Sequence, residues 1–558
     1  MTSRYPVLPK ERASCLTRDG VRLDADVYRP DAAGLFPVLL MRQPYGRAIA
    51  STVVYAHPTW YASHGFLVVI QDVRGRGTSE GEFRLFEHEV ADGFDAVEWA
   101  AQLPHSNGRV GMYGFSYQGM TQLFAAQAAP SALRAIAPAM VGYHPYEDWA
   151  SENGALLLQA GVGWAIQLAA ETARREGNQT AFQALYQASR QLPLHNAVPA
   201  LPEVLQRFAP GSFWHDWLQR SPADAYWQRL TPQLQDVDLP MFHMGGWFDP
   251  YLRGDLRLYQ EMAARSQFPQ PFWVGPWGHL PWTRRVAGRD FGAAANSPID
   301  RLQVQWFAHW LRDEAAPFLQ QPPVNLFEMG RDRWRAFKSW PQGEHQRWHL
   351  NSTGLAAMHL GDGKLLPTRA VPSASPAAAG LTSSGIDTWV HDPWRPVPSL
   401  GGHAAWPSGA CDRAAIDGRS DVLTYTSDPL EQDLAVAGHI RVSVSCQCDQ
   451  PSFDLSVVLS EVRPDGSVYN LTQGYRRFVH TPNIWQTCKL TLHPTCFVCL
   501  RDQALRLSIS AANFPAYTVN SGREVSDRNS RLIDAQIITL SLNCSSLNSY
   551  LLLPTTNE

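Results

Sequence analysis

The sequence predicts an α/β protein with a parallel sheet, interrupted by a helical segment and followed by an all-β domain. Strand and helix patterns alternate up to about residue 140, which is typical of a parallel sheet covered by helices. This alternation stops over residues 144–231, where Ala, Gln, Leu and Trp recur with helical spacing. After about residue 345 the chain changes to short alternating strands, the pattern of an all-β sandwich.

The spacing of apolar residues defines the first strands and helices. Alternating apolar residues over 21–27 predict a half-exposed strand. Continuous apolar runs at 36–41 and 65–70 predict strands buried on both faces. Helical spacing of apolar residues predicts a helix over 87–101, and the run at 109–115 predicts a strand that ends in a glycine-rich turn.

Strand patterns resume after the helical segment. We expect strands at 239–245 and 271–274, and then a helix whose apolar face carries Leu302, Trp306 and Trp310. A region rich in Pro, Ala, Ser and Gly, residues 367–385, separates these elements from the last strands of the chain.

The last part of the chain predicts a jelly roll. Short alternating strands are expected at 439–448, 453–461 and 505–510, and Pro464-Asp465-Gly466 marks a turn. The predicted domains are an α/β domain in two parts, a helical cap inserted between them, and the jelly roll. Their predicted limits are 1–143 and 232–345 for the α/β domain, 144–231 for the cap and 346–558 for the jelly roll.

Composition and charge narrow the classes of function. The 558 residues carry a formal net charge of −4, with 45% hydrophobic and 18% charged residues, as is ordinary for a globular protein. This balance predicts no nucleic-acid partner. The most apolar stretch, 154–170, is shorter than the roughly 20 apolar residues of a membrane span, so we expect no membrane association. The amino terminus has no apolar segment, and the expected location is therefore the cytoplasm.

Seven of the eight cysteines lie beyond residue 400, and all are expected to be thiols in that compartment. Cys446 and Cys448 continue an apolar alternation, which predicts that both are buried on one face of a strand. The stretch His493-x-x-Cys496-x-x-Cys499 resembles half of a zinc site, but no second pair has a suitable spacing. We therefore predict no metal and no cofactor.

The segment Gly114-Phe115-Ser116-Tyr117-Gln118-Gly119 is interpreted as a G-x-S-x-G motif. A predicted strand precedes it, and a helix is expected over 118–128. A sharp strand-to-helix turn of this kind holds its serine exposed, and small flanking residues let the backbone segments approach each other. The alternative is an ordinary glycine turn. The context favours a nucleophile elbow of the α/β-hydrolase fold.

A serine hydroxyl is a poor nucleophile at neutral pH and needs a base and an orienting acid. In this fold both follow the serine along the chain, first the acid and then the histidine, each just beyond a strand. Asp249 and His279 meet that requirement. Taken singly, Asp249 fits a turn and His279 fits a loop, but their order and placement predict a triad of Ser116, Asp249 and His279.

Several motifs give the chain a resemblance to a known family. They are Arg42-Gln43-Pro44-Tyr45, Gln71-Asp72-Val73-Arg74-Gly75-Arg76-Gly77, Gly111-Met112-Tyr113-Gly114-Phe115-Ser116-Tyr117, Gly246-Trp247-Phe248-Asp249 and Gly275-Pro276-Trp277-Gly278-His279. With them the chain resembles the cocaine-esterase-type hydrolases, which are related to the Xaa-Pro dipeptidyl peptidases. The resemblance spans nearly the full length, and it implies an α/β-hydrolase domain, an inserted helical cap and a C-terminal jelly roll.

The resemblance also implies an oxyanion hole and a substrate pocket. Tyr45 matches the family's oxyanion tyrosine, and the backbone N–H of Tyr117 supplies the second donor. Trp149 and Trp164 match aromatic residues of the family's acyl pocket, and Phe248 stands beside the triad acid. An aromatic or bulky apolar acyl group is expected. The alternative is that these aromatic residues only pack within the cap.

The segment around Asp72, Arg74 and Arg76 superficially matches a dinucleotide-binding fingerprint. Its third glycine is missing, and Glu80 would place an acidic side chain against the phosphate. We therefore predict a turn braced by ion pairs rather than a cofactor site.

The resulting hypothesis is a serine esterase that forms an acyl-enzyme with a small-molecule ester. Alternatives within the superfamily are an Xaa-Pro dipeptidyl peptidase and an amide or β-lactam acylase. Pro250, Tyr251 and Leu252 follow Asp249, where related acylases place part of a carboxylate cluster for an α-amino group. Other classes stay open: a scaffold or binding protein with an inactive site, and a carbohydrate-binding jelly roll. The sequence leaves the oligomeric state open, with a homodimer as the candidate assembly.

Overall fold

The computed structural model describes residues 5–194, 200–368, 385–524 and 530–556. Up to residue 139 the chain alternates strands and helices, and the strands and helices predicted there are confirmed to within a few residues. In chain order they are β1 (Glu11–Leu16), β2 (Arg22–Tyr28), β3 (Phe36–Gln43), α1 (Pro58–Ser63), β4 (Leu67–Asp72), α2 (Glu89–Ala101), β5 (Ser106–Phe115), α3 (Tyr117–Gln127) and β6 (Leu133–Ala139).

The next segment is mainly helical, as its apolar spacing predicts. A π-helical turn (Pro145–Ala150) and a two-stranded hairpin come first, and five helices follow. They are β7 (Ser151–Glu152), β8 (Ala155–Leu156), α4 (Leu158–Arg175), α5 (Gln179–Arg190), α6 (Glu203–Phe208), α7 (Phe213–Gln219) and α8 (Ala225–Arg229). No helix within the described ranges is both long and apolar enough to span a membrane. The limits of the cap at 144 and 231 stay a prediction.

Strands of the first sheet then resume. The elements are β9 (His243–Phe248), α9 (Leu252–Arg265), β10 (Phe272–Gly278), β11 (Arg285–Val286), β12 (Arg289–Asp290), α10 (Ile299–Arg312), β13 (Val324–Glu328) and β14 (Arg333–Phe337). The first sheet has ten strands in the order β1-β2-β4-β3-β5-β6-β9-β10-β13-β14. From β4 to β13 neighbouring strands are parallel, so their carboxyl ends meet along one edge of the sheet.

Both faces of this sheet are covered by apolar side chains. Val38 and Leu40 of β3 belong to the core that faces α2, α3 and the cap, whereas Leu39 and Met41 belong to the core that faces α1 and α10. This alternation explains why β3 is an unbroken apolar run in the sequence.

Beyond β14, the part of the chain that the structure describes forms a thirteen-stranded, mostly antiparallel sheet. Its elements are β15 (Glu344–Asn351), β16 (Lys364–Pro367), β17 (Ile386–His391), α11 (Ala414–Asp417), β18 (Val422–Thr426), β19 (Leu434–Gly438), β20 (Arg441–Cys448), β21 (Ser452–Val462), β22 (Val468–Val479), β23 (Gln486–Thr491), β24 (Thr495–Cys499), β25 (Ala504–Ser510), β26 (Ile538–Asn543) and β27 (Tyr550–Thr555). The three strands predicted here correspond to β20, β21 and β25.

The change between sheets falls just before residue 346. β14 pairs with β13 in the first sheet, and β15, beginning at Glu344, pairs with β27 in the second. The domain boundary at 346 stays a prediction, because the chain runs from one sheet into the other without a long linker. Most of the loop predicted over 367–385 lies outside the described residues. Cys446 and Cys448 are buried on one face of β20, as predicted.

Candidate active site

Ser116 lies between the carboxyl end of β5 and the first residue of α3. Its φ of 61° and ψ of −127° are unusual for a residue with a side chain, as expected at a strained strand-to-helix turn. One detail of the predicted motif is wrong. Gln118 occupies the position of the second glycine, and the small residue comes one place later. A Cβ at Gly119 would lie 2.3 Å from Val141 Cγ1, so close packing of α3 on the chain after β6 requires glycine there.

Asp249 and His279 lie beyond the ends of neighbouring parallel strands, β9 and β10. His279 Nδ1 is 2.8 Å from Asp249 Oδ1. An imidazole held at Nδ1 by a carboxylate presents Nε2 to other groups, which is the orientation that a general base needs. The ring of Phe115, the residue before Ser116, is 5.2 Å from the His279 ring between centroids. The fold therefore brings the predicted acid and base to the elbow that carries Ser116.

Asp249 is fully buried, and its second oxygen, Oδ2, has no hydrogen-bond partner among the described residues. Burial raises the pKa of Asp249, and the contact with His279 opposes that effect. A second buried carboxyl, Asp255, accepts a hydrogen bond from the backbone N–H of Val141 at 2.8 Å. Burial and then the charge of Asp249 raise the pKa of Asp255 well above its usual value.

Tyr45 follows β3 and reaches Ser116. Its hydroxyl interacts with the side chains of Ser116 and Trp164, although the Trp164 indole nitrogen lacks a partner in full hydrogen-bonding geometry. Burial raises the pKa of Tyr45 to about 12, so the phenol remains a hydrogen-bond donor at neutral pH. Tyr117 is the first residue of α3, where a helix leaves its N–H without an internal acceptor. Its hydroxyl donates to Glu89 Oε1 at 2.7 Å, away from the nucleophile.

An aromatic cluster adjoins these groups. The rings of Trp149 and Trp164 stack with centroids 5.1 Å apart. The Tyr251 ring is 4.7 Å from Trp149 and, edge to face, 5.1 Å from His279. Tyr251 therefore connects the tryptophan pair with the histidine. The sequence analysis did not assign Tyr251 to the site. Its position two residues after Asp249 is the signal that could have indicated it.

Phe248 does not belong to this aromatic cluster. Its buried ring packs against Phe291, 6.3 Å away between centroids, in the core that also contains Phe327 and the second sheet. The structure thus brings Trp149 and Trp164 together near Ser116 but does not bring Phe248 to them. Successive side chains of a strand point to opposite faces, so closeness to Asp249 along the chain does not place Phe248 in the same pocket.

The turn after β4 is braced by ion pairs, as predicted for Asp72 and Arg74. Asp72 pairs with Arg47 at 2.5 Å. Arg74 pairs with Asp92 at 2.6 Å and with Asp19 at 2.8 Å. For Arg76 the prediction is wrong, because no carboxylate of the described residues lies within ion-pair distance of it. Its Nη1 instead donates to the carbonyl of Leu168 in α4 at 2.9 Å.

A buried polar network joins the cap, the first sheet and the C-terminal domain, and sequence patterns did not predict it. Glu152 of β7 forms an ion pair with Arg253 of α9 at 2.7 Å. From the C-terminal domain, His403 Nε2 lies 2.8 Å from Glu152 Oε2, and the Tyr517 hydroxyl donates to the same oxygen at 2.6 Å. Arg253 and His403 outweigh the effect of burial and lower the pKa of Glu152 far below its usual value.

The histidine and cysteines of the half zinc motif pack as core side chains. Cys496 and Cys499 are buried, and the His493 ring stacks on His403 with centroids 4.0 Å apart. Within the described ranges, no group of three or more His, Cys, Asp or Glu side chains is arranged to hold a metal ion. All eight cysteines are free thiols.

Comparison with known proteins gives matches over most of the chain. Residues 19–281 match the family model of the X-Pro dipeptidyl-peptidase (S15 family), and residues 317–547 match that of its C-terminal non-catalytic domain. A cocaine esterase of Rhodococcus sp. (strain MB1 Bresler) is 31% identical over 90% of this chain and 91% of that protein. A putative serine esterase of Mycobacterium bovis is 25% identical over 86% of this chain and 82% of its own.

Solved structures show the same fold over the whole chain. An aminopeptidase from the marine sediment archaeon Thaumarchaeota archaeon has a TM-score of 0.80 at 20% identity and covers 98% of this chain and 96% of its own. An α-amino acid ester hydrolase has a TM-score of 0.79 at 21% identity and covers 100% of this chain and 97% of its own. The fold is therefore an α/β-hydrolase domain with a C-terminal all-β domain.

Proposed function

This chain belongs to the cocaine-esterase-type family of α/β-hydrolases, and we propose that it hydrolyses carboxylic esters through an acyl-enzyme formed on Ser116. It is a serine hydrolase, as its esterase relatives indicate. The observation that carries the assignment of residues is the 2.8 Å contact between His279 and Asp249 beside the strained elbow of Ser116. This pair supplies the oriented base that a serine nucleophile needs.

In the proposed reaction His279 Nε2 takes the proton from Ser116 Oγ as that oxygen attacks the ester carbonyl. The tetrahedral intermediate collapses when the protonated His279 gives its proton to the departing alcohol. A water molecule, deprotonated by His279, then attacks the acyl-enzyme. The second tetrahedral intermediate collapses when the protonated His279 returns its proton to Ser116 Oγ, which releases the acid. Asp249 holds the imidazole and stabilises its protonated form throughout.

Tyr45 and the backbone N–H of Tyr117 are the proposed oxyanion donors. The Tyr45 hydroxyl interacts with Ser116 before substrate binds, and its raised pKa keeps it protonated. The Tyr117 N–H belongs to the helix that begins at the nucleophile, so its position relative to Ser116 is fixed by the turn. Donors placed in advance stabilise the negative charge that develops in the transition state.

The acyl group is proposed to lie against Trp149, Trp164 and Tyr251. These rings pack one against the next from His279, through Tyr251 and Trp149, to Trp164 of α4. An aromatic or bulky apolar acyl group fits that chemistry best, since indole and phenol rings offer large rigid contact areas. Phe248 is not part of the proposed acyl pocket.

The same superfamily includes enzymes that act on amides and on peptides with a free amino group. A protonated amine bound at the acyl position needs a carboxylate partner. Here Tyr251 follows Asp249 at the second position, and Glu152 is already paired with Arg253 and His403. This arrangement favours an esterase over an Xaa-Pro dipeptidyl peptidase or an α-amino acylase.

A panel of substrates distinguishes these functions. It contains p-nitrophenyl acetate, p-nitrophenyl benzoate, an α-amino ester and a Gly-Pro anilide, each assayed with wild type and Ser116→Ala. We expect ester hydrolysis that is highest for the benzoate and absent in the variant. Cleavage of the Gly-Pro anilide alone would identify a peptidase. An absence of any Ser116-dependent turnover would instead favour the binding or scaffold protein.

The substrate is a small molecule, as for the related hydrolases, and we propose that the enzyme works in the cytoplasm. Eight free thiols, seven of them buried, suit a reducing compartment. Homodimer formation stays a prediction, and sedimentation of the purified protein tests it.

A further inference from the structure

Arg76 is a buried cation without a counter-ion. Arg76 is only 2% exposed. Among the described residues no carboxylate forms an ion pair with it within 4.0 Å, and Glu171 acts on it only at longer range. Its neighbours in the same turn differ, because Asp72 and Arg74 are both paired with charged partners. Burying a charge without an opposite charge beside it is costly, and ionisable groups with strongly shifted pKa values cluster at functional sites.

Polar and aromatic groups hold the Arg76 guanidinium in place. Nη1 donates to the Leu168 carbonyl at 2.9 Å and to the Thr172 hydroxyl at 3.2 Å, both in α4. The guanidinium carbon lies 3.7 Å from the centroid of the Phe83 ring, and Nε has no hydrogen-bond partner in the described structure. Burial lowers the pKa of Arg76 to about 10, so the side chain is still charged at neutral pH.

The Arg76 guanidinium is linked to the proposed acyl pocket through α4 and through two aromatic rings. Leu168, which accepts the Arg76 hydrogen bond, is one helical turn beyond Trp164 in α4. Phe83, under the guanidinium, is 6.0 Å from the Tyr117 ring, and that ring is 6.5 Å from Trp164. The charge also acts on Tyr45: burial raises the pKa of Tyr45, and Arg76 opposes part of that rise.

We propose that Arg76 determines charge selectivity, by making the potential around the acyl group positive and so disfavouring cationic acyl groups. The substrate class is therefore esters of uncharged or anionic aromatic acids, not esters of acids that carry an ammonium group. The inference rests on the proposed esterase function and specifies its substrates. Because Arg76 acts through space and not by contact with the reacting atoms, it is not a catalytic residue.

The size of the effect follows from Coulomb's law. Two unit charges about 10 Å apart in a medium with an effective dielectric constant of about 20 change a rate ratio by roughly tenfold. The sign is opposite for cationic and anionic acyl groups, and an uncharged acyl group is the reference.

Arg175 offers a matched control. It anchors the same helix to the same turn, since its Nη2 donates to the Ser79 carbonyl at 2.8 Å and its Nη1 contacts the Gly77 carbonyl. Arg175 is more exposed than Arg76, so water and salt screen its charge. An Arg175→Met variant therefore weakens the attachment of α4 without removing a buried charge.

The experiment uses three methyl esters of similar size: methyl 4-methylbenzoate, monomethyl terephthalate and methyl 4-(aminomethyl)benzoate. They carry a neutral, an anionic and a cationic acyl group at pH 7.5, and kcat/KM is measured for wild type, Arg76→Met, Arg76→Lys and Arg175→Met. We expect Arg76→Met to lower the anion-to-neutral ratio and raise the cation-to-neutral ratio, each by roughly tenfold. Arg76→Lys and Arg175→Met should stay within about twofold of wild type. Unchanged ratios in Arg76→Met, or equal changes in Arg175→Met, would overturn the proposal.

Two further measurements distinguish a failure of the proposed charge selectivity from a failure of the proposed esterase function. If wild type hydrolysed no ester, the proposed function would fail, and labelling of Ser116 by neutral, carboxylate-bearing and ammonium-bearing organophosphonates would still compare the charge selectivity of the variants. Thermal unfolding checks that Arg76→Met is folded. If it is not, Arg76→Gln, which retains a donor for the Leu168 carbonyl, takes its place with the same expected ratios and the same contradicting result.

Discussion

The proposed role of Tyr45 as an oxyanion donor depends on its contact with Ser116 and on its burial. Its hydroxyl interacts with Ser116, and burial holds its pKa near 12. Replacing Tyr45 by Phe removes one of the two proposed oxyanion donors and little volume. We expect kcat to fall by about 10²–10³, or roughly 3–4 kcal/mol of transition-state stabilisation, with a small change in KM.

Steady-state kinetics with p-nitrophenyl benzoate measure this effect. Tyr186→Phe is the matched control, since Tyr186 lies on α5 with half of its surface exposed. A Tyr45→Phe variant with the kcat of wild type would show that the second donor lies elsewhere.

At the scale of residues, sequence reasoning identifies those whose chemistry depends on chain order. Ser116, Asp249 and His279 were predicted because a motif and two strand ends specify them. Tyr251 and Arg76 were not assigned to the site, because their roles depend on which rings and helices pack against them. Phe248 shows the converse, since it is close to Asp249 in sequence and lies in a different core.

At the scale of elements, the elbow depends on how closely α3 approaches the end of β6. A Cβ at Gly119 would lie 2.3 Å from Val141 Cγ1 and 3.1 Å from the Ala139 carbonyl oxygen. Gly119→Ala should therefore shift the start of α3, which carries the Tyr117 N–H. We expect a loss of stability of about 1–3 kcal/mol, together with a fall in kcat/KM.

Chemical denaturation and ester hydrolysis test this prediction together. Gly211→Ala is the control, because a Cβ at Gly211 has no neighbour within 4 Å. Equal stability and activity of Gly119→Ala and wild type would mean that Val141 moves aside without displacing α3.

Apolar periodicity was a good guide to the elements themselves. Continuous apolar runs correctly indicated β3 and β4, because both faces of the first sheet are covered. The short hairpin of β7 and β8 left no such pattern. It is stabilised by contacts with the C-terminal domain, among them a hydrogen bond from the Asn153 side chain to the Tyr475 carbonyl at 3.0 Å.

At the scale of the molecule, Glu152 ties three parts of the chain together. Burial alone would raise its pKa, but Arg253 and His403 lower it, so the ionised form stabilises the folded state. Glu152→Gln breaks the ion pair and leaves the partly buried Arg253 charge without this carboxylate. We expect a loss of roughly 3–5 kcal/mol at pH 7.

The contribution of Glu152 to the free energy of unfolding should decrease as the pH falls. A carboxyl whose pKa is lowered by folding contributes stability above its unfolded value of about 4.3, and that contribution is lost as the pH falls. The difference in free energy of unfolding between wild type and Glu152→Gln should therefore shrink below about pH 4. A difference that stays constant from pH 7 to pH 3 would contradict the assigned ionisation.

The order of the domains could be predicted from composition and from the resemblance to a family. The contacts between the domains could not be predicted in this way. Glu152, Arg253, His403 and Tyr517 are far apart in sequence and belong to different domains. No periodicity connects them, since their partners are determined by how the domains dock.

Ser116 is the proposed nucleophile of ester hydrolysis, and its replacement gives the most direct test. The test is kcat/KM for p-nitrophenyl benzoate in wild type and Ser116→Ala, with the mass of the acylated peptide measured in wild type at early times. We predict a fall on the order of 10⁵ or more in the variant and a benzoyl adduct on Ser116. Activity within tenfold of wild type in Ser116→Ala, or an adduct on another residue, would contradict it.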